Sequence, residues 1–321
     1  FNVNQFAKEA LTKGAAYAIV DEEINVPDDR IILVPDVLKA LQNLAQHHRM
    51  QFISATSEKQ IPFIAITGSN GKTTSKELVH AVLSTAYKTY TTEGNLNNHI
   101  GIPLTILKIK ADAEIAIIEM GANHLKEIEE YCTYTMPTHG VITNCGKAHL
   151  EGFGSEEGIR KGKGELFDYL KQNKGTAFIM SDYEYLQTMS SGIENIVTYG
   201  THDADVTGIV KNSSGLLEVE ITSDVMLNFI ETKLVGEYNL PNILLAVTVG
   251  RHFNVPDEKI KTALENYLPD NSRSQLIETD SNKIILDAYN ANPTSMKAAV
   301  ENFANMHGEN KVLLLGGMKE L

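Results

Sequence analysis

The chain has 321 residues, 42% hydrophobic and 21% charged, an ordinary globular composition with room for two or three domains. Its formal net charge of -13 argues against non-specific nucleic-acid binding, which needs Lys and Arg to displace counterions, but leaves nucleotide binding open, since that needs only a local anion site. No apolar run reaches the roughly 18 residues of a membrane span, and Cys132 and Cys145 lack zinc-site spacing, so they read as free thiols of a reducing cytosol.

In chain order, residues 4–13 predict an amphipathic helix closed by Gly14. Residues 15–20 and 30–34 read as strands and 37–50 as a helix, the end of a small α/β domain. Phe1 rather than a methionine opens the chain, and both ends look cut from a longer protein. A composition change at 54–62 marks a linker. The continuous apolar run 63–67 predicts a buried parallel strand, followed by a helix over about 72–87. Strands at 113–118, 140–143 and 176–180 then alternate with helices at 124–134 and 155–171, which predicts a doubly wound, mostly parallel sheet. Short alternating runs at 207–210, 216–221 and 226–234 predict an antiparallel β flank, and two helices follow at 239–253 and 256–267. Near 273 the pattern restarts with a hairpin, a helix (294–306) and a strand (311–315), the start of a third, Rossmann-like α/β domain. The expected division is therefore 1–57, 58–271 and 272–321.

The strongest motif is Gly68-Ser69-Asn70-Gly71-Lys72-Thr73-Thr74, placed between a strand and a helix as a phosphate loop must be. Glycines let backbone N–H groups approach phosphate oxygens, and the helix N-terminus adds favourable partial charge. Lys72 is expected to reach the β- and γ-phosphates of ATP and the Thr73 hydroxyl to hold Mg²⁺. The bland alternative is a tight glycine turn with a solvated lysine. The usual first loop glycine is replaced by Ile66, so the general pattern is only partly met.

That departure is itself informative. The run Ile66-Thr67-Gly68-Ser69-Asn70-Gly71-Lys72-Thr73-Thr74 resembles the ATP loop of the Mur ligase family and its folylpolyglutamate synthase relatives, where the shortened Gly-x-x-Gly-Lys form is usual. Glu119 ends an apolar strand, where a carboxylate faces the ligand crevice or simply a solvated turn. The resemblance implies a Mg²⁺ ligand. His149 lies in a segment similar to the family's Ala-His-Leu-Glu-x-Phe-Gly-Ser. Taken alone a single His is more often structural, and the resemblance implies a metal role with Mn²⁺ as a possible substitute. Lys163 sits within the apolar stripe Ile159, Leu166, Phe167, Leu170, where a snorkelling side chain is the ordinary reading. Its segment Gly162-Lys163-Gly164-Glu165-Leu166-Phe167 is similar to the stretch that carries a carbamylated lysine in Mur ligases, which implies the same modification here.

The polar run Thr92–Pro103 carries Asn95, Asn97 and Asn98, whose amides could cap helices or bind a peptide or sugar through paired donors and acceptors. It resembles the substrate loop of the branch that joins D-alanyl-D-alanine to UDP-N-acetylmuramoyl-tripeptide through an acyl phosphate. The segment Gly236–Asn242 resembles the family's adenine-side His-Asn-x-x-Asn element with Tyr238 in place of His, so Asn239 and Asn242 carry over as ATP-binding residues. Asp287-Ala288-Tyr289-Asn290-Ala291-Asn292-Pro293 is similar to a signature of the same branch and implies nucleotide contacts from Asp287 and Asn290 together with Arg273. Asn292 and Pro293 equally suit the cap and first turn of a helix. The resemblance further implies a cytoplasmic monomer working on small molecules, without nucleic acid or membrane insertion. It also places parts of the substrate sites outside residues 1–321, so this chain is expected to bind ATP and ligate poorly. Two other readings stay open: a different Mur or folylpolyglutamate-type ligase, and an ATP-binding module without ligase chemistry.

Overall fold

The computed structural model describes residues 3–24, 28–53, 60–147, 150–223, 227–269, 273–308 and 310–318; most of the expected linker and His149 lie outside them. A 3-10 turn at Asn4–Phe6 runs into α1 (Ala7–Thr12), and Gly14 takes φ +102°, the left-handed geometry that the predicted helix stop requires. β1 (Ala18–Val20) and β2 (Ile31–Leu33) pair in parallel. α2 (Val37–Met50) starts where the Asp36 carboxylate accepts the Lys39 N–H and covers the predicted span.

The central segment runs β3 (Phe63–Thr67), α3 (Lys72–Leu83), β4 (Thr89–Thr91), α4 (Gly101–Lys108), β5 (Ile115–Glu119), α5 (Glu127–Thr135), β6 (His139–Ile142), α6 (Leu150–Phe153), α7 (Glu156–Gln172), β7 (Thr176–Met180), α8 (Glu184–Met189) and β8 (Asn195–Gly200). β3 and β5 are buried at every position, which is why each reads as an unbroken apolar run. The structure corrects two expectations here. α3 stops at Leu83 rather than near 87, because the chain turns at 84–87 to supply β4. The expected polar loop at 92–103 gives way at Gly101 to α4, whose first turn is capped by the Asn98 amide oxygen accepting the N–H groups of Ile100 and Gly101.

β9 (Val206–Asn212), β10 (Leu216–Ile221) and β11 (Phe229–Val235) form the antiparallel flank, and the parallel pairing of β8 with β9 makes that flank continuous with the main sheet. The full order is β11-β10-β9-β8-β7-β6-β3-β5-β4. A 3-10 turn at Glu237–Asn239 leads into α9 (Leu240–His252), followed by α10 (Asp257–Asn266). β12 (Gln275–Glu278) and β13 (Lys283–Leu286) make the predicted hairpin, and α11 (Pro293–Asn305) opens on a capping box between Asn292 and Ser295. The strand expected at 311–315 does not form among the described residues: Val312 and Leu314 are 72% and 92% exposed, and no neighbouring strand pairs with the run. An apolar run alone supplies no ladder.

This topology fixes where a ligand can sit. From β3 the chain moves to the β4 edge, returns through β5, then crosses to β6 on the other side of β3. Strand order reverses at β3, and the carboxyl ends of β3, β5 and β6 therefore open a crevice. The register Ile66↔Glu119 and Thr67↔Ile142 brings those ends level.

α2 packs on α4 and α5 and carries a fully buried arginine into the contact. Arg49 Nε and Nη2 donate to the carbonyls of Thr135 and Met136 at 3.0 Å each, and its guanidinium lies 3.7 Å from the Phe63 ring centroid. A cation over an aromatic face and against a helix C-terminus is doubly favoured, although burial pulls its pKa down to about 10. Arg49→Ala strips both carbonyls of a partner and opens a cavity, with an expected loss of about 3 kcal/mol of unfolding free energy in urea titration. Arg49→Lys should recover less than half of it. A loss of only a few tenths for the alanine variant would show that the contact carries little.

Candidate active site

The loop after β3 is shaped by close approach. Gly68 has φ +141°, and a Cβ there would lie 2.1 Å from Thr143 Oγ1; Gly71 has φ +79°, and its Cβ would lie 2.8 Å from Asn242 Oδ1. Residues just past β6 clamp the turn. Ser69 N–H donates to the Asn144 carbonyl (2.8 Å) and Ser69 Oγ to that of Gly146 (2.7 Å), while the Asn144 side chain accepts from Asn70 N–H (3.1 Å) and donates to Asn70 O (3.0 Å). Thr143 Oγ1 donates to the same Asn70 carbonyl at 2.6 Å. Lys72, the first residue of α3, folds back so that Nζ donates to Gly68 O (2.8 Å) and Ser69 O (3.1 Å), placing its ammonium over the loop. Loop, cation and helix N-terminus thus converge as phosphate binding demands.

Beside the loop, Glu119 is 1% exposed. Its Oε1 accepts from Thr73 Oγ1 (3.1 Å) and Asn97 Nδ2 (2.8 Å), and its backbone N–H donates to Thr92 Oγ1 (3.0 Å). Its Oε2 is buried and has no hydrogen-bond partner among the described residues. A buried carboxylate oxygen without a partner is costly, and a hard divalent cation would relieve it. Among the described residues no three His, Cys, Asp or Glu side chains gather into a metal cage. An ion here would therefore share one carboxylate, the Thr73 hydroxyl, water and nucleotide oxygens, the usual manner of Mg²⁺.

Lys163 occupies the apolar stripe of α7 and is 1% exposed. Its Nζ donates to the Ala122 carbonyl at 2.9 Å, three residues past Glu119, and lies 5.1 Å from the Phe153 ring centroid. Burial first, and the Lys72 charge second, lower its pKa to about 7. Near neutral pH a substantial fraction is a free amine. Burial also pushes the nearby Cys145 thiol up to about 11, which makes it a poor nucleophile.

The other expected residues take varied positions. Asn239 and Asn242 are buried behind the loop: Asn239 Nδ2 donates to Val235 O and Asn242 Nδ2 to Asn239 Oδ1 (2.9 Å each), and Asn242 Oδ1 accepts from Ser75 Oγ at 2.9 Å. Their amides brace α3. Arg273 stacks 3.8 Å from the Tyr289 ring centroid, the Ser274 backbone hydrogen-bonds Asp287, and the Tyr238 and Ser274 hydroxyls meet at 2.7 Å. Asn290 Oδ1 accepts from Ala291 N–H. The run that holds Asp287 and Asn290 then reaches the loop directly, because Asn292 Nδ2 donates to Asn70 Oδ1 at 2.6 Å. Asn95 is exposed at the tip of its loop, and Asn98 caps α4. Sequence reasoning did not assign Thr92, Thr143, Asn144 or Asn292 to the site. The only signal for the middle pair was their place just after a strand end.

A strand–loop–helix phosphate grip beside an incompletely satisfied carboxylate on the next strand defines a nucleotide-dependent enzyme of the P-loop type. Residues 66–250 match the Mur ligase middle domain and residues 272–321 the Mur ligase, glutamate ligase domain. The chain belongs to the Mur ligase family. It is 36% identical to the UDP-N-acetylmuramoyl-tripeptide–D-alanyl-D-alanine ligase of Bacillus subtilis, over 100% of this chain and 69% of that protein, and 34% identical to the Escherichia coli enzyme of the same description, over 100% and 70%. Among solved structures it superposes on MurF of Acinetobacter baumannii with TM-score 0.86 and 29% identity, covering 96% of this chain and 67% of that one. MurF of Thermotoga maritima in complex with ADP gives TM-score 0.79 at 28% identity, covering 95% and 69%.

Gly68→Ala tests the loop. The added methyl cannot coexist with Thr143 at 2.1 Å, so the turn must move. ADP affinity by calorimetry is expected to fall at least about tenfold. Unchanged affinity would show that the turn does not hold the phosphates.

Proposed function

We propose that this chain carries out the ATP-dependent joining of D-alanyl-D-alanine to UDP-N-acetylmuramoyl-tripeptide in peptidoglycan precursor synthesis. The observation that carries the reading is the buried Oε2 of Glu119, without a partner among the described residues, beside the Thr73 hydroxyl at the mouth of the phosphate loop. The names of the 30–36% identical relatives support the choice of substrates.

Amide formation from a carboxylate is uphill in water, so the carboxylate must first be activated. The terminal carboxylate of the tripeptide attacks the γ-phosphorus of ATP, giving an acyl phosphate and ADP. The amine of the dipeptide then attacks the acyl carbon, phosphate leaves, and a proton is released. Positioning and charge neutralisation dominate phosphoryl transfer. Gly68–Thr74 cradle the phosphates, Lys72 neutralises them, and α3 directs its N-terminal N–H groups at them. Mg²⁺, or Mn²⁺ in its place, would be held by Thr73 and Glu119 and would neutralise charge on the transferred phosphoryl group. His149 and Lys163 would serve a second ion. Asn239 and Asn242 support the adenine side, while Arg273, Asp287 and Asn290 close on the nucleotide and exclude water. Asn95, Asn97 and Asn98 face the peptide substrate. The division 1–57, 58–271 and 272–321 serves these roles as sugar-nucleotide, ATP and ligase segments. No described helix is long and apolar enough to cross a membrane; the enzyme is taken to act as a cytoplasmic monomer.

Two experiments follow. Phosphate release from ATP should depend on both UDP-N-acetylmuramoyl-tripeptide and D-alanyl-D-alanine, even at a slow rate, and fall by about 100-fold or more in Lys72→Ala and Glu119→Gln. Stimulation by folate and glutamate instead, or full activity of Glu119→Gln, would overturn the assignment. For Lys163, the free amine expected from its lowered pKa adds CO₂ to give a carbamate and one proton, and the N–H that remains can still donate to Ala122 O. Intact mass under gentle, non-acidic conditions should show one added CO₂, absent in Lys163→Arg. An unmodified mass with undiminished activity in CO₂-free buffer defeats the modification.

A further inference from the structure

Lys76 has no part in the reading above, yet it is among the least expected side chains in the protein. It lies one turn beyond Thr73 on α3 and is 0% exposed. Lysine is almost never so buried without a specific partner. Its ammonium donates to the Thr92 carbonyl at 2.6 Å and pairs with Glu77 Oε1 at 2.7 Å.

Thr92 is the hinge of the matter. It follows β4, a three-residue edge strand paired only with β5, and it is itself fully buried. Its N–H donates to Ile117 O at 3.1 Å, its hydroxyl accepts the Glu119 N–H at 3.0 Å, and its carbonyl takes the Lys76 ammonium. Glu119 is therefore held at both ends by residues tied to α3. Thr73 reaches the carboxylate directly, and Lys76 reaches the backbone N–H through Thr92. The loop that leaves Thr92 also returns Asn97 to the same carboxylate at 2.8 Å. A methionine of similar length would fill the space without desolvating a charge, a cost of several kcal/mol. The Glu77 carboxylate and the Thr92 carbonyl offset that cost, and what the ammonium adds over an apolar side chain is geometry.

We propose that Lys76 is a positioning residue for the ligase reaction: by pinning Thr92 it sets the Glu119 carboxylate, and the loop carrying Asn97, against the phosphate loop. The inference rests on the reading of Glu119 as a cation-binding carboxylate. It ties the nucleotide helix to the substrate loop through one side chain. Removing Lys76 should therefore weaken the cation's contribution more than the loop's own hold on phosphate.

The test is ADP affinity by calorimetry, with Mg²⁺ and with EDTA. Wild type should bind ADP more tightly with Mg²⁺. Lys76→Met should keep its EDTA affinity within about twofold and lose at least about fivefold of the Mg²⁺-linked gain. Mn²⁺ bound to the ADP complex, counted by electron paramagnetic resonance, should fall in parallel. A purely structural lysine would lower the melting temperature and leave the metal-linked gain unchanged, which would overturn the proposal. If wild type itself shows no gain, the cation reading of Glu119 fails first and this inference with it. Should Lys76→Met not fold, Thr92→Val cuts the same strut one bond further along and carries the same expectation. A full Mg²⁺ gain in that variant overturns the proposal equally.

Discussion

Everything chemical in this protein depends on one register, the alignment of β3 between β5 and β6. Ile66 pairs with Glu119 and Thr67 with Ile142, so the phosphate loop, the carboxylate and the Thr143–Asn144 clamp leave the sheet at one level. A shift of a single residue on β5 would turn Glu119 to the other face of the sheet, because side chains alternate along a strand. The strong burial of all three strands makes such a slip expensive. Stability of the core and placement of the carboxylate are the same constraint.

That dependence explains what could be read from residues alone and what could not. α2, β3 and β7 fall where their periodicity and apolar runs predict, because each is determined by its own local pattern. The phosphate loop was equally legible, since glycine, lysine and threonine act there through chain-local geometry. Thr92, Asn97 and Asn144 were not assigned these contacts, since each depends on which strands become neighbours. Asn97 stood among three asparagines with similar prospects, and only the fold separates the one on Glu119 from the one that caps α4. β4 has three residues, too few to show a period. The run at 311–315 has the composition of a strand and no partner among the described residues, a reminder that apolarity is necessary for a strand and insufficient.

The buried cations show how differently one charge can be handled. Arg49 gives Nε and Nη2 to two helix-end carbonyls and lays its guanidinium on an aromatic ring, and so acts as a fastener between α2 and the central sheet. Lys163 has one carbonyl acceptor and an aromatic neighbour, and its pKa falls until the amine is partly neutral. Equal burial therefore yields structural charge in one place and reactive nitrogen in the other. The difference begins in the group itself: burial lowers both pKa values, but a guanidinium starts far more basic and stays charged at about 10, whereas the lysine, with Lys72 also repelling its charge, falls to about 7.

The phosphate loop is also where separate stretches of chain meet. Asn70 alone is touched by residues following β6 and, through Asn292, by the cap of α11. Asn242 presses on Gly71 from α9. A loop gripped from several sides shares its shape with all of them, so a nucleotide that shifts Asn70 would alter the energy of the α11 contact as well. By reciprocity, whatever holds α11 in place would then alter nucleotide affinity by the same factor. An enzyme that forms a water-sensitive acyl phosphate needs that coupling, because the site should close only when the phosphates are present. The asparagine at position 292, which a sequence reading would assign only to helix capping, has a second amide contact that makes the capped helix and the loop one mechanical unit.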